Sequence, residues 1–290
     1  MTSPQESEHG FALVTALWAL AILSVIVASV SLTARTEARL SRNRRELAEL
    51  GAIADAAINI AILNLTDRRL ELRPPVDATP FIVNFGGQGV RVSVQDEAGK
   101  VDLNQASEDL LVRLLGSGGL DDAAAQALAD KIMDWREPGI GKRLNGAKAE
   151  DYQTAGYAYG PRNGPFESIE ELKLVMGMKR ELFDRVAASV TVYAQGTDVN
   201  PAVAPAGVLS ILPGADPNRT ADILEQRAKR ATGGLDDNAS PVGLETTSLS
   251  GRAFSIVAEA QGRDLMKARH TAIIRLSGLQ AAPIWIYRWD

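Results

Sequence analysis

The chain contains no cysteine, which excludes disulfides, thiolate nucleophiles and cysteine-bound zinc or iron–sulfur centres. It has two histidines, His9 and His270, so a histidine-based metal cage or acid–base site has almost no raw material. Aromatic residues make up 5% of it and the net charge is −5, a balance that argues against a surface built overall for nucleic acid. Charge is also missing from one long stretch, since no Asp, Glu, Lys or Arg lies between Phe11 and Ala34. After Pro4 no proline occurs before Pro74.

The uncharged stretch, "GFALVTALWALAILSVIVASVSLTAR", starts at Gly10. As a helix, Phe11–Ala34 spans roughly 36 Å, enough to cross a hydrocarbon core of about 30 Å. A cleaved secretory signal needs a basic start and a shorter apolar core; residues 1–10 hold Glu6 and Glu8 and no Lys or Arg. A retained span is therefore predicted. Beyond it Leu47, Leu50, Ala54, Ala57, Ile58, Ala61 and Leu65 recur at helical spacing, so the span continues into an amphipathic helix. Arg35, Arg39, Arg42, Arg44 and Arg45 sit at the exit, and charge alone would place the C-terminal part in the cytoplasm.

A short polar leader ending in Gly10, then Phe11, an apolar run and an amphipathic helix resemble the start of a type IV prepilin. The resemblance implies cleavage by a prepilin peptidase between Gly10 and Phe11 and N-methylation of Phe11. Most such proteins carry Glu at the fifth mature position; here it is Thr15. A buried carboxylate needs a partner, and a subunit with nobody ahead of it has none. Lack of that Glu is similar to general secretion pathway protein K, the large minor pseudopilin of type II secretion. The leader ends Glu8–His9–Gly10, without the basic residue usual there. A second, separate stretch carries the same resemblance, in the order "GKVDLNQA…LADKIMDWRE…NGAKAEDYQ…NGPFESIEELKLVMGM…VTVY".

Pro74, Pro75 and Pro80 end the helix in a connector. Val90, Val92 and Val94 alternate with Arg91, Ser93 and Gln95, a half-buried strand behind a turn at Gly86, Gly87 and Gly89. Two helices come next, with Ser107 and Asp121 as caps and Pro138 closing the second. Asp134, Glu137, Glu150 and Asp151 flank the loop "EPGIGKRLNGAKAEDYQ". Oxygen ligands around a flexible loop suit Ca²⁺, and the family resemblance implies calcium in this helical region. Arg136, Lys142 and Arg143 offer the other reading, in which the chain neutralises its own carboxylates. Tyr152, Tyr157 and Tyr159 read either as loop packing or as a partner surface. "VDLNQASEDLLVRLLG" at 101–116 is echoed by "TDVNPAVAPAGVLSILPG" at 197–214, a helix-hairpin-helix pattern. Residues 215–232 read as a helix, and "FSIVAEAQG", "KARHTAIIRLSG" and "PIWIYRWD" as strands. His270 shows no acid or nucleophile partner in sequence and reads as structural.

The predicted fold class is α+β and pilin-like. A long N-terminal helix, transmembrane then amphipathic, packs on an antiparallel sheet, and a large helical domain of helix-hairpin-helix or SAM-like type is inserted. The predicted divisions are a leader (1–10), a transmembrane helix (11–34), the helix continuation and first strands (35–104), the insert (105–193), and the echo with the last strands (194–290). No catalytic site is legible, and no cofactor is required beyond the candidate Ca²⁺. The resemblance implies a single-pass inner-membrane protein whose C-terminal domain is periplasmic. It implies a tip complex with minor pseudopilins I and J that limits or initiates pseudopilus assembly for protein export. The competing reading is a membrane-anchored DNA receptor of competence type. Asp216, Asp222 and Glu225 beside Arg219 and Arg227 give that hairpin too little positive charge for phosphate, so no nucleic acid is expected.

Overall fold

The computed structural model describes residues 8–67, 69, 72–231, 249–262, 266–279 and 281–290. The chain divides into two compact units, Met1–Ala52 with Gln261–Ala268, and Ile53–Ala260 with Arg269–Asp290. Helix α1 (Glu8–Thr66) follows the proline-free run. In the second unit it buries Ala54, Ala57, Ile58, Ala61 and Leu65, a stripe at three- and four-residue spacing. Three of those five are alanine, which lets a neighbouring layer approach closely. In the first unit Leu50 is buried, whereas Leu47, predicted on the same stripe, is 45% exposed.

Five strands form one sheet in the order β1-β2-β5-β6-β7: β1 (Phe81–Phe85), β2 (Gln88–Asp96), β5 (Ala253–Gln261), β6 (Lys267–Leu279) and β7 (Ala282–Trp289). The pairs β1–β2, β2–β5 and β6–β7 are antiparallel. Gly86 and Gly87 have φ of 58° and 78° and make the two-residue turn of the first hairpin, a conformation that suits glycine. Val90, Val92 and Val94 are fully buried on one face of β2, as the alternation predicts. Asp55 of α1 ties helix to sheet: it accepts from Trp289 Nε1 at 2.8 Å and lies 2.8 Å from His270 Nδ1. His270 therefore has an acid partner after all, one that sequence proximity could not reveal.

The helical region is a true insertion. Asp96 at the end of β2 pairs with Phe254 at the start of β5, so the chain leaves the sheet and re-enters beside its exit. A short parallel pair, β3 (Val101–Asp102) with β4 (Val190–Thr191), then draws together the ends of the first helical block. Within it are α2 (Glu108–Ser117), α3 (Asp122–Arg136), α4 (Ala149–Thr154) and α5 (Arg180–Val186). Ser107 Oγ accepts from Leu110 N at 3.3 Å and Asp121 Oδ1 from Ala124 N at 2.8 Å, so both predicted caps form. Leu111, Leu115, Ala125, Ala129, Ile132 and Leu172 make the centre of its core.

The echo is rendered unequally. Its helix α6 (Ala206–Leu209) has four residues against ten in α2, because Pro205 and Pro213 bracket it. Val208, Leu209 and Ile211 join the core of the first block rather than a separate one. Helix α7 (Pro217–Ala231) comes after it. Its Arg227 is buried, 3.1 Å from Asp77 and donating to the Ala204 and Ala202 carbonyls at 2.7 and 2.9 Å. That guanidinium is committed to structure and is not presented to a phosphate. Thr232, the last residue of the predicted 215–232 helix, and Gly233 and Gly234 after it lie outside the described residues.

Where the insertion leaves the sheet, Asp96 is fully buried beside Arg252 and accepts from Ala98 N at 2.8 Å. Burial dominates and pushes its carboxyl from 3.8 up to about 6, against the pull of Arg252. A carboxyl whose folded-state value is raised favours the folded state when protonated. Stability from this group therefore grows as pH falls through about 6 and is complete below 3.8. The gain is about 3 kcal/mol. Glu137 and Asp151 have lowered values, so they begin to oppose it as pH falls through the ordinary carboxylate range. Burial also raises the Asp102 carboxyl, which adds in the same direction; melting of the purified protein should shift upward between about pH 7.5 and about pH 5, and Asp96→Asn should reduce that slope.

Candidate functional site

The residues singled out in the sequence fall at two places, the start of α1 and the loop after α3. At the first, the backbone of Glu8–Gly10 already belongs to α1, and Phe11 is largely exposed. Thr15 Oγ1 donates to the Phe11 carbonyl at 3.2 Å. Ser24, Ser29 and Thr33 close their hydroxyls in the same way on Leu20, Ile26 and Ser29, at 2.8, 2.8 and 3.0 Å. In hydrocarbon no water can satisfy a hydroxyl, so a bond to a carbonyl one turn back removes the cost. Among the described residues nothing covers the most apolar window of the helix, and its length and composition fit a single-pass membrane anchor.

At the second place, α3 ends at Arg136 and the loop folds back over its last turn. Asp134 is buried; its carboxylate accepts from Arg143 N at 3.2 Å and from the Arg143 guanidinium at 3.3 Å. That guanidinium also forks onto Glu137 at 2.6 and 2.8 Å, which holds the Glu137 carboxyl below its usual range. Asp151 takes Lys142 Nζ at 2.6 Å and Lys148 N at 2.8 Å, and its carboxyl is lowered too. Glu150, the fourth candidate ligand, is exposed. Gly146 lies against Asp134: a Cβ there would sit 1.8 Å from Oδ2. Among the described residues no three His, Asp or Glu side chains are grouped to hold a metal ion. The third member of the loop's cation set, Arg136, turns away and donates to the Leu103 and Ala106 carbonyls at 2.5 and 2.8 Å.

Three groups here escaped the sequence reading. Lys148 is 8% exposed, and its Nζ donates to the Asp134 and Glu137 carbonyls at 2.7 and 2.9 Å and to Asn163 Oδ1 at 3.1 Å. Asp130 accepts from both Asn145 N and Asn145 Nδ2 at 3.0 Å. The helical spacing of Asp130, Asp134 and Glu137 was a usable signal for it. The third is Trp135, stacked on Phe166 at 6.0 Å, with Tyr152 tilted against it at 6.2 Å. Tyr152 is a core residue; its hydroxyl accepts from Met176 N at 2.8 Å, and burial pushes the phenol up to about 12. Tyr157 and Tyr159 pack on Tyr152 at 5.6 and 5.9 Å and leave one side open.

Residues 90–195 match the family model described as type II secretion system (T2SS), protein K. A type II secretion system protein K of Pseudomonas aeruginosa is 24% identical over 285 residues, covering 88% of this chain and 85% of that protein. One from Klebsiella pneumoniae is 26% identical, covering 66% of this chain and 64% of the relative. Among solved structures, a chain of the GspK-GspI-GspJ complex from the enterotoxigenic Escherichia coli type 2 secretion system superposes with a TM-score of 0.51 at 14% identity. That superposition covers 88% of this chain and 98% of the other.

Proposed function

We propose that this chain belongs to the type II secretion system protein K family and is a minor pseudopilin that occupies the tip of the pseudopilus. The observation that carries the reading is Thr15. Its hydroxyl is satisfied on the Phe11 carbonyl of its own helix, and no acid lies between Phe11 and Ala34. Such a subunit needs no neighbour ahead of it to neutralise a buried charge. The helical region supports the same reading. It leaves and re-enters at the paired residues Asp96 and Phe254, so it is a bulky appendage on the sheet that would obstruct addition of a further subunit above it. The role is structural rather than enzymatic, limiting or initiating assembly of the fibre that drives export.

The partners are suggested by the solved neighbour, in which GspK is joined by GspI and GspJ. We assign the corresponding minor pseudopilins I and J to this chain. A prepilin peptidase is assigned to the Gly10–Phe11 bond, and the inner membrane to Phe11–Ala34. The soluble part is placed in the periplasm, against the arginine cluster beyond the span. The test is co-purification from membranes of cells expressing all three minor pseudopilins. The expected result is an equimolar ternary complex that survives high salt. Recovery of the chain alone, or with DNA lost at high salt, would defeat the tip assignment.

A further inference from the structure

The loop that folds over the end of α3 is built like a cation site that is already filled from within the chain. The last carbonyls of a helix have no intrahelical partner and carry the negative end of its dipole. One of them, from Asp134, and the carbonyl of Glu137 just past the end of α3 converge with Asn163 Oδ1 on Lys148 Nζ at 2.7, 2.9 and 3.1 Å. An ammonium has three N–H donors, and here each has one acceptor. The backbone of the same residue starts the next helix: Lys148 N donates to Asp151 Oδ2 at 2.8 Å. One residue thus closes the C-terminus of α3 with its side chain and the N-terminus of α4 with its backbone. Asn163 is held for this purpose in a left-handed conformation, with φ of 53°.

Three of the four candidate ligands already have a cation: Asp134 and Glu137 share the Arg143 guanidinium, and Asp151 takes Lys142. The three oxygens on Lys148 Nζ are carbonyl and amide oxygens with no formal charge, which suits one tethered positive charge better than a divalent ion seeking carboxylates. We propose that Lys148 is the structural cation of this loop, and that residues 137–151 fold without calcium.

The test is native-state proteolysis of the full-length protein in detergent micelles. Trypsin would cut after Lys142 and Arg143, and Leu144, immediately after Arg143, is 95% exposed. Cleavage there should proceed at the same rate in a chelator and in millimolar Ca²⁺. Lys148→Met strands three oxygens and should speed it by about tenfold or more in both conditions. If Lys148→Met does not fold, Asn163→Gly keeps the backbone conformation and removes one acceptor, and should speed cleavage by about threefold to tenfold. Protection of the unaltered protein by Ca²⁺ overturns the proposal. So does an unaltered cleavage rate in whichever of the two variants folds.

Discussion

Gly99→Ala should cost about 3–5 kcal/mol of unfolding free energy and leave the helical region poorly docked on the sheet. Gly99 lies just past the end of β2, where the chain turns out of the sheet. Its φ is not in the left-handed region, so the requirement is for space. A Cβ there would lie 2.4 Å from the Val203 carbonyl oxygen, 2.7 Å from its carbon and 2.9 Å from Ala204 N. All three are backbone atoms, which cannot rotate aside as a side-chain end can. The facing segment is also pinned: Asn200 N donates to the Ala98 carbonyl at 2.8 Å, and Gln95 Nε2 to the Val203 carbonyl at 2.8 Å. Moving it away to admit a methyl group breaks buried hydrogen bonds as well as packing. Gly86→Ala is the control. Nothing lies within 4 Å of a Cβ there, and only its φ of 58° is strained, so about 1 kcal/mol is expected. Denaturant unfolding of both variants decides the matter. Equal losses would show that the turn and the 200–204 segment are not in close contact.

How much of this was legible in sequence depends on how far apart the partners lie. Patterns with short periods were readable: the buried stripe from Leu50 to Leu65, the alternating valines of β2 and the caps at Ser107 and Asp121 depend on neighbours within a few positions. The Leu47 exposure shows the limit, since spacing gives a stripe's direction and not where its cover ends. Asp55 meets His270 and Trp289 across 215 and 234 residues, and no local pattern announces such a pair. The Asp96–Phe254 pairing that makes the helical region an insertion is equally long-range. At the loop, the sequence displayed the carboxylates and the compensating Lys142 and Arg143. It could not display Lys148, because two of that residue's three acceptors are backbone carbonyls, which every residue has. Their convergence is a product of where α3 stops.

Gly10→Val should leave the whole population at precursor length, with Met1 retained and Phe11 unmethylated. Access to the backbone is the first reason. A peptidase must bring catalytic groups onto the backbone of residue 10, and glycine offers that backbone with no side chain in the way. The bond also lies inside α1, whose backbone is helical from Glu8, so the helix end must open before cleavage. Glycine weakens a helix by about 1 kcal/mol relative to alanine, and valine by less, so the substitution both blocks the approach and firms the helix end. The consequence for assembly comes from the leader's charges. Uncut, Glu6 and Glu8 stay attached directly before the apolar run. The mature chain would instead begin with Phe11 at the head of a helix whose first polar side chain, Thr15, is already bonded. Intact-mass measurement of protein extracted from membranes reads the result. The unaltered chain should lack residues 1–10 and carry one added methyl group, while the Gly10→Val chain should keep all ten and fail to support secretion. If the unaltered protein keeps its original methionine, or the variant is shortened equally, Phe11 is not the start of the working subunit. The role assigned to Thr15 as its fifth residue would then lose its basis.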